Sequence, residues 1–484
     1  MKNFNQTLIN GFAWEASTRL VVQVASWVST IWVARLLSPE DYGIVAISGI
    51  FTGLCLMFSV MGLTNALINK EHIEEHDKAN VFWASCANAV VVYGALYFFA
   101  PYIAAFYDSP ELGSIVRVAG LMVVISPLSA VPRALLMRDL RFKSLALIAM
   151  VTNLLLTIMT LWLAFTGWGY WSLILSTVVA QFVELSILSF VAGYIPSLPR
   201  KIKTILPLYK YGISVLGARL LGYLNSSWPT IVASSQLGKI PTGHLNMANT
   251  LASLPMTKIG EIFSKIAFPA FSRIQSDQEK TKQLFLSMHR YLFMVIAPMF
   301  IGIAFVAPVL VPLLIGEKWL PVVMPLQIIC FANVITGSGM LIPRVFEGLG
   351  NAAASFKYQV LVAVLTPCAM IIGLQWGLNG LLIGWALSGP ISYIYLLKVL
   401  FRLTDMTARE FFNSVSVTLL CVSVMSLALF LADWFLVEMN LPLLFDLCIK
   451  VVVGGLSYCA AYLILGREYV AQIFVLVRNR GIVD

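Results

Sequence analysis

Four cations and two acids lie inside long apolar stretches of this chain, and their spacing is that of a ligand-binding wall. Glu15, Arg19, Gln23, Ser26 and Thr30 recur at intervals of three or four residues, so they share one helical face. Arg219, Tyr223, Ser226 and Thr230 repeat that face further along, with Asn225 beside it. Lys258, Glu261 and Lys265 form a third face, which His244 extends. The chemistry of such a set is recognition: guanidinium and ammonium groups bind an anion, while hydroxyl and amide groups hold a polar, hydroxylated body. Holding one such charge among lipid costs roughly 2.5 kcal/mol or more, so a polar membrane face points at protein or water. Two readings stay open. Either these faces line a wet cavity that takes an anionic ligand, or Arg19 pairs with Glu15 and a lysine with Glu261 as helix fasteners. The four cations outnumber the two acids, so complete mutual neutralisation is impossible.

Weaker candidates flank this set. Arg133 and Arg344 each follow a proline, and read either as anchors on the cytoplasmic side or as an entrance for a phosphate headgroup. Glu184 stands as a lone acid in an apolar run, fit either to carry a proton or cation or to tie two helices. His72 and His76 sit in the polar loop HIEEHDK, whose default is solvation, and no metal site is expected.

The elements that position these residues are membrane helices. The 484 residues are 59% hydrophobic and 11% charged, whereas soluble domains carry about 25% charged residues. Apolar runs recur throughout, and each must satisfy its own backbone hydrogen bonds in lipid, so helices are expected and a barrel is not. The fold class is therefore an all-α polytopic membrane protein. Fourteen spans are predicted, near 10–34, 43–69, 80–106, 113–136, 144–166, 170–195, 206–236, 243–271, 286–315, 319–342, 354–376, 379–401, 411–433 and 442–466. The first reads as an uncleaved helix rather than a leader. Trp14, Trp32, Trp168, Trp171, Trp319, Trp376 and Trp434 fall near span ends, as in an interfacial belt.

With the N-terminus in the cytoplasm, basic residues crowd the inner loops, including Arg138, Arg141, Lys143, Lys201, Lys280 and Arg409. The outer loops keep only Arg35, Lys239 and Lys318. Both termini are thus predicted inside. The net charge of +9 follows this topology and gives no reason to expect nucleic acid. The seven cysteines lie in apolar runs without metal-ligand spacing. No phosphate-binding glycine loop, nucleophile elbow or zinc-protease motif is present, and no loop could house a catalytic domain, so neither enzyme chemistry nor a cofactor is expected.

The chain also repeats itself. Arg19-Leu20, Ser26, Thr30 and Gly43 match Arg219-Leu220, Ser226, Thr230 and Gly243. Phe99-Ala100-Pro101 matches Val306-Ala307-Pro308, Pro132-Arg133 matches Pro343-Arg344, and Trp168-Gly169 matches Trp376-Gly377. This order predicts two pseudo-symmetric six-helix halves, residues 1–200 and 201–405, with a cleft between them and two extra helices in 406–484.

Residues 11–51, and above all Ala34-Arg35-Leu36-Leu37-Ser38-Pro39-Glu40-Asp41-Tyr42-Gly43, resemble the polysaccharide transporter family. Gly62-Leu63, Ala66-Leu67-Ile68 and Phe268-Pro269-Ala270-Phe271-Ser272-Arg273 add to the resemblance, which runs along essentially the whole chain. The family sits in the multidrug, oligosaccharidyl-lipid and polysaccharide exporter superfamily. It is most similar to flippases for colanic acid and like exopolysaccharides. The resemblance implies translocation of undecaprenyl-diphosphate-linked oligosaccharide repeat units across the bacterial inner membrane, by alternating access through a cationic cavity. It also implies a setting in surface, exopolysaccharide or lipopolysaccharide synthesis, beside a polymerase and glycosyltransferases, with membrane lipids as surroundings. Arg19 matches the first-span arginines of such proteins. On this reading Arg19 and Arg219 bind the diphosphate, Gln23, Ser26, Tyr223, Asn225, Ser226 and Thr230 hydrogen-bond the sugar, and Lys258, Lys265 and Thr30 complete the substrate-binding set. Glu15, Glu261 or Glu184 could couple an ion. The alternatives are an ion-coupled multidrug exporter, which would want cavity acids, and a membrane polysaccharide polymerase, which would want a large outer loop.

Overall fold

The computed structural model describes residues 23, 25–60, 74–199, 205–275, 277–439 and 441–469. Among these there is no strand, and ten helical segments are long and apolar enough to cross a membrane. The chain divides into two compact units, Met1–Gly243 and His244–Asp484.

The first unit runs through α1 (25–36), α2 (Pro39–Val60), α3 (Glu75–Phe106), α4 (Pro110–Ala119), α5 (Leu121–Arg138), α6 (Phe142–Phe165), α7 (Trp171–Ala192) and α8 (Ile205–Leu237). It closes with the first turn of α9 (Lys239–Arg273). Its core is aliphatic: Ile44 and Ile47 of α2, Leu96 and Ala100 of α3, Leu112, Ile115 and Val116 of α4, Val123 of α5 and Ile174 of α7. The span expected over 113–136 turns at Gly120, where any Cβ would sit 2.9 Å from Leu96 Cδ2. Glycine leaves the Leu96 and Tyr93 side chains of α3 room to pack against this turn.

The residues that carry the family resemblance have a mechanical role. Pro39 opens α2 with its φ already helical and no N–H to lose. Ser38 donates through N and Oγ to Asp41 Oδ2 at 2.8 and 2.7 Å, and the Asp41 N–H returns to Ser38 Oγ at 3.2 Å. This is a reciprocal cap on the helix's exposed donors. The other Asp41 oxygen accepts the Tyr170 N–H at 3.1 Å, which ties the start of α2 to the turn before α7. Gly43 and Gly243 then meet the opposite backbones at very short range: a Cβ on Gly43 would lie 1.9 Å from Lys239 O, and one on Gly243 would lie 1.8 Å from Pro39 O. Lys239 also pairs with Glu111 and, at 3.4 Å, with Glu40. Partial burial pulls the Lys239 ammonium's pKa down; the two carboxylates outweigh it and hold the value above its ordinary one.

The second unit is built on α10 (Gln278–Ile315), whose N-cap Asp277 accepts the Lys280 N–H at 3.0 Å. That bond, with the Lys280 ammonium, holds the Asp277 carboxyl below its usual range. After a 3-10 turn (Glu317–Val322) come α11 (Val323–Gly337), α12 (Ile342–Gly348), α13 (Ala352–Gly373), α14 (Gly377–Thr404), α15 (Ala408–Met439) and α16 (Leu443–Leu465). Phe293, Ala297 and Ile301 of α10 pack on Val415, Val422, Met425 and Leu429 of α15. Trp319 departs from the interfacial-belt expectation: it is fully buried, its ring 6.2 Å from that of His244. The repeat-matched glycines Gly169 and Gly377 both hold positive φ, 51° and 71°, just before α7 and at the start of α14.

α13 and α14 form a hairpin closed by small residues. A Cβ on Gly384 would stand 2.2 Å from Ala369 O, and one turn on Ser388 Oγ meets Thr366 Oγ1 at 3.3 Å. Close backbone approach is a main source of helix association in lipid, which offers no hydrophobic drive. Gly384→Leu should therefore part the hairpin and cost at least ~3 kcal/mol. Thermal unfolding of the purified variant reads this, and a wild-type midpoint would refute it.

Candidate functional site: a polar cavity in the first unit

A cavity of about 370 Å³ opens among α2, α5 and α7. Ser126, Ser129, Ala130 and Arg133 line it from one face of α5, Gln181 and Glu184 from α7, and Val60 from the end of α2. Two prolines shape the α5 wall. Pro127 lies inside the helix and lacks an N–H, which frees the carbonyl of Val123 one turn earlier. Ser59 Oγ, fully buried, donates to that carbonyl at 2.8 Å. The final turn of α2 is thereby pinned to α5, and Asn88 Nδ2 of α3 donates to Ser59 O at 3.0 Å from the other side.

Within the cavity Arg133 Nη2 donates to Glu184 Oε1 in a direct ion pair. The guanidinium side chain is 43% exposed and the carboxylate 24%, so the cation is the more open partner. A guanidinium carries five donors, and one bond to Glu184 leaves capacity for an anion. Ser129 Oγ donates to Ser126 O at 2.8 Å. Gln181 Oε1 is buried without a hydrogen-bond partner among the described residues. A buried amide acceptor left empty costs about 1–3 kcal/mol, which a hydroxyl donor would relieve. Cation, hydroxyls and open acceptor together suit a phosphorylated, hydroxylated ligand.

Of the residues singled out in the sequence, the structure joins Arg133 to Glu184, which stand in different helices. Arg344 instead pairs along its own helix with Glu347 at 2.8 Å. His76, in the first turn of α3, has Nδ1 3.0 Å from Oε2 of the N-cap residue Glu74, and His72 lies outside the described residues. Glu15 and Arg19 lie outside the described residues, as do the side chains of Lys258, Glu261 and Lys265. Arg219 is exposed on α8, as is Ser226, whose Oγ donates to Tyr223 O at 2.8 Å. Gln23, Asn225 and Thr230 are half-buried, and Ser26 is exposed and accepts from Thr30 Oγ1 at 2.8 Å. The Tyr223 hydroxyl is engaged with the Gly49 and Ile50 carbonyls of α2 at 3.1 and 2.7 Å. Ser126, Ser129 and Gln181 were not anticipated. The signal was available: Ser126, Ser129 and Arg133 step along one helical face, and Gln181 precedes Glu184 by one turn.

Apolar helices of spanning length, close glycine crossings and an ion-paired polar cavity define a multi-pass membrane protein with a polar site among its helices. The family described as polysaccharide biosynthesis protein matches residues 32–324, and the chain belongs to it. The succinoglycan biosynthesis transport protein ExoT of Rhizobium meliloti is 27% identical over 369 residues, covering 76% of this chain and 74% of the relative. The lipopolysaccharide biosynthesis protein WzxC of Escherichia coli is 24% identical over 410 residues, 82% of each chain. Among solved structures, the lipid II flippase MurJ in an inward closed conformation superposes with a TM-score of 0.77 at 17% identity, covering 94% of this chain and 99% of its own. An inward-facing multidrug resistance transporter of the MATE family gives 0.60 at 16% identity, over 80% and 96%. These likenesses establish the fold.

Proposed function

We propose that the protein is a flippase for undecaprenyl-diphosphate-linked oligosaccharide repeat units, serving surface or exopolysaccharide synthesis at the bacterial inner membrane by alternating access. The family match and the transport proteins among its relatives support this reading. The observation that carries it at the residue level is the Arg133–Glu184–Gln181 cavity inside a membrane-helix bundle. Its volume of about 370 Å³ falls within the ~300–1,000 Å³ of small-ligand sites. Arg133 would take a phosphate oxygen by a charge-assisted bond. Gln181 would accept from a sugar hydroxyl, and the polyprenyl tail would remain in lipid. Arg19, Arg219, Lys258 and Lys265 would supply further positive charge, with Gln23, Ser26, Thr30, Asn225, Ser226 and Thr230 hydrogen-bonding sugar. The Tyr223 hydroxyl would have to release α2 to join them.

The proposed membrane arrangement has fourteen spans with both termini cytoplasmic, divided as 1–200, 201–405 and 406–484. The protein transports without covalent chemistry. The polymerase and glycosyltransferases of the same polymer are its proposed partners. Deleting the gene should abolish export of the polymer and leave lipid-linked repeat units in the cytoplasmic leaflet. Complementation with Arg219→Ala or Arg19→Ala, at matched protein levels, should restore less than about a tenth of export, the loss of one charge-assisted phosphate contact in a low-dielectric site. Full export by both variants would remove those two arginines from the site. A deletion strain that exports normally but becomes sensitive to cationic drugs would favour a multidrug exporter.

A further inference from the structure

Glu184 poses a chemical problem for a cavity meant to receive an anion, because it takes one of the Arg133 donors and sets a negative charge beside any anion that binds the others. Granting the reading that this cavity takes a lipid-linked diphosphate, we infer that Glu184 is a specificity residue, a resident carboxylate that keeps Arg133 from bulk monoanionic phospholipids and yields it to a diphosphate. A bilayer presents phosphodiester headgroups in great excess over any lipid-linked sugar. An unguarded guanidinium in a cavity that such headgroups can reach would be occupied by them.

The geometry sets the terms of exchange. Glu184 contacts Arg133 directly across two helices and is the less exposed of the pair, so a ligand reaches the guanidinium before it reaches the carboxylate. A phosphodiester brings one negative charge. Substituting it for Glu184 trades one unit charge for another and leaves a carboxylate facing the newcomer without a cation. Among the described residues that line the cavity Arg133 is the single cation, so none of these re-pairs a displaced Glu184. Other charged groups on the helices packed against α7 stand near helix ends: Arg138 and Lys143 of α5 and α6 toward one, Glu111 and Arg117 of α4 toward the other. A diphosphate carries at least two charges and more acceptor oxygens, and can bridge the remaining guanidinium donors while Glu184 stays near. Gln181 Oε1, open to a donor on the same wall, adds a contact for the hydroxylated body that follows the diphosphate.

The test uses the full chain in phosphatidylcholine nanodiscs, with farnesyl diphosphate as probe and phosphatidylglycerol as competitor. The wild type should bind the diphosphate and resist the phospholipid. Glu184→Gln should strengthen phosphatidylglycerol competition by about fivefold relative to diphosphate binding, the scale of one partly exposed ion pair. Glu184→Asp, which keeps the charge, should hold near-wild-type selectivity and shows whether any folding loss in Glu184→Gln comes from the charge. Were Glu184→Gln to misfold, Glu184→Ser with the same readout replaces it. Arg133→Ala should lose both ligands. An unchanged selectivity ratio in the charge-removed variant would overturn the inference and leave Glu184 a helix tie. Undiminished diphosphate binding by Arg133→Ala would overturn the reading of the cavity itself.

Discussion

Replacing Gly43 with valine is expected to break the crossing of α2 with the first turn of α9 and to lower stability by at least ~3 kcal/mol. The obstacle is backbone, not a movable side chain: the new Cβ would sit 1.9 Å from Lys239 O and 2.7 Å from its carbonyl carbon. No rotamer relieves that overlap, so the helices must separate. Separation also strips Lys239 from Glu111 and Glu40 and pulls at Asp41, whose carboxylate caps α2 and holds Tyr170. Gly243→Val should cost a similar amount, because the contact is reciprocal. Gly43 meets Lys239 while Gly243 meets Pro39, and the two members of each matched pair hold the same offset along the chain. A contact in which each partner's glycine receives the other's backbone has the self-complementarity of a two-fold interface. The double variant should then lose less than the sum of the single losses, since both break one contact. Thermal unfolding of the three proteins, with export in complemented cells, measures this. A Gly43→Val protein that melts and exports like the wild type would mean that the crossing is not held at this distance.

The apolar runs made the helices legible, because lipid leaves each run no other way to satisfy its backbone. Their ends were less so. The runs placed starts at residues 43, 80 and 286, whereas α2, α3 and α10 begin at Pro39, Glu75 and Gln278. The missing turns are polar by necessity: Ser38 with Asp41, Glu74 with Asp77, and Asp277 satisfy the orphaned N–H groups at those termini. A hydropathy reading passes over them. The motif Ser38-Pro39-Glu40-Asp41 carries the family likeness, and its physical content is a cap and a tether. The cavity was half legible. Arg133 and Glu184 each stood out as a charge in an apolar run, but 51 residues separate them and no periodicity along one helix shows which charges meet across two. Gln181 lacked any charge to draw notice; only its buried, open oxygen marks it.

Lys450→Met should destabilise the second unit by about 2 kcal/mol, and neutralising its two partners as well should recover most of that loss. Lys450 lies on α16, 4% exposed, with Nζ 2.5 Å from Asp433 Oδ1 of α15 and 3.1 Å from Asp446 Oδ1 one turn back on its own helix. It borders a largely apolar groove of about 380 Å³ lined also by Met299, Ile303, Met425 and Tyr458. A cation there is tolerable because two carboxylates surround it. Removing it strands them beside a surface that cannot solvate charge, a loss of roughly 3–5 kcal/mol for a fully buried pair. Asp433 is 53% exposed, and solvent or headgroups reaching it bring the expected cost down to the smaller figure. The triple variant Lys450→Met, Asp433→Asn, Asp446→Asn leaves no charge to strand, and the apolar thioether fills the volume of the lysine stem. Its unfolding midpoint should sit near the wild type, with the single variant roughly 5 °C below. Equal midpoints for wild type and Lys450→Met would show that the triad does not hold α15 to α16. A triple variant as unstable as the single one would locate the cost in lost packing rather than in unpaired charge.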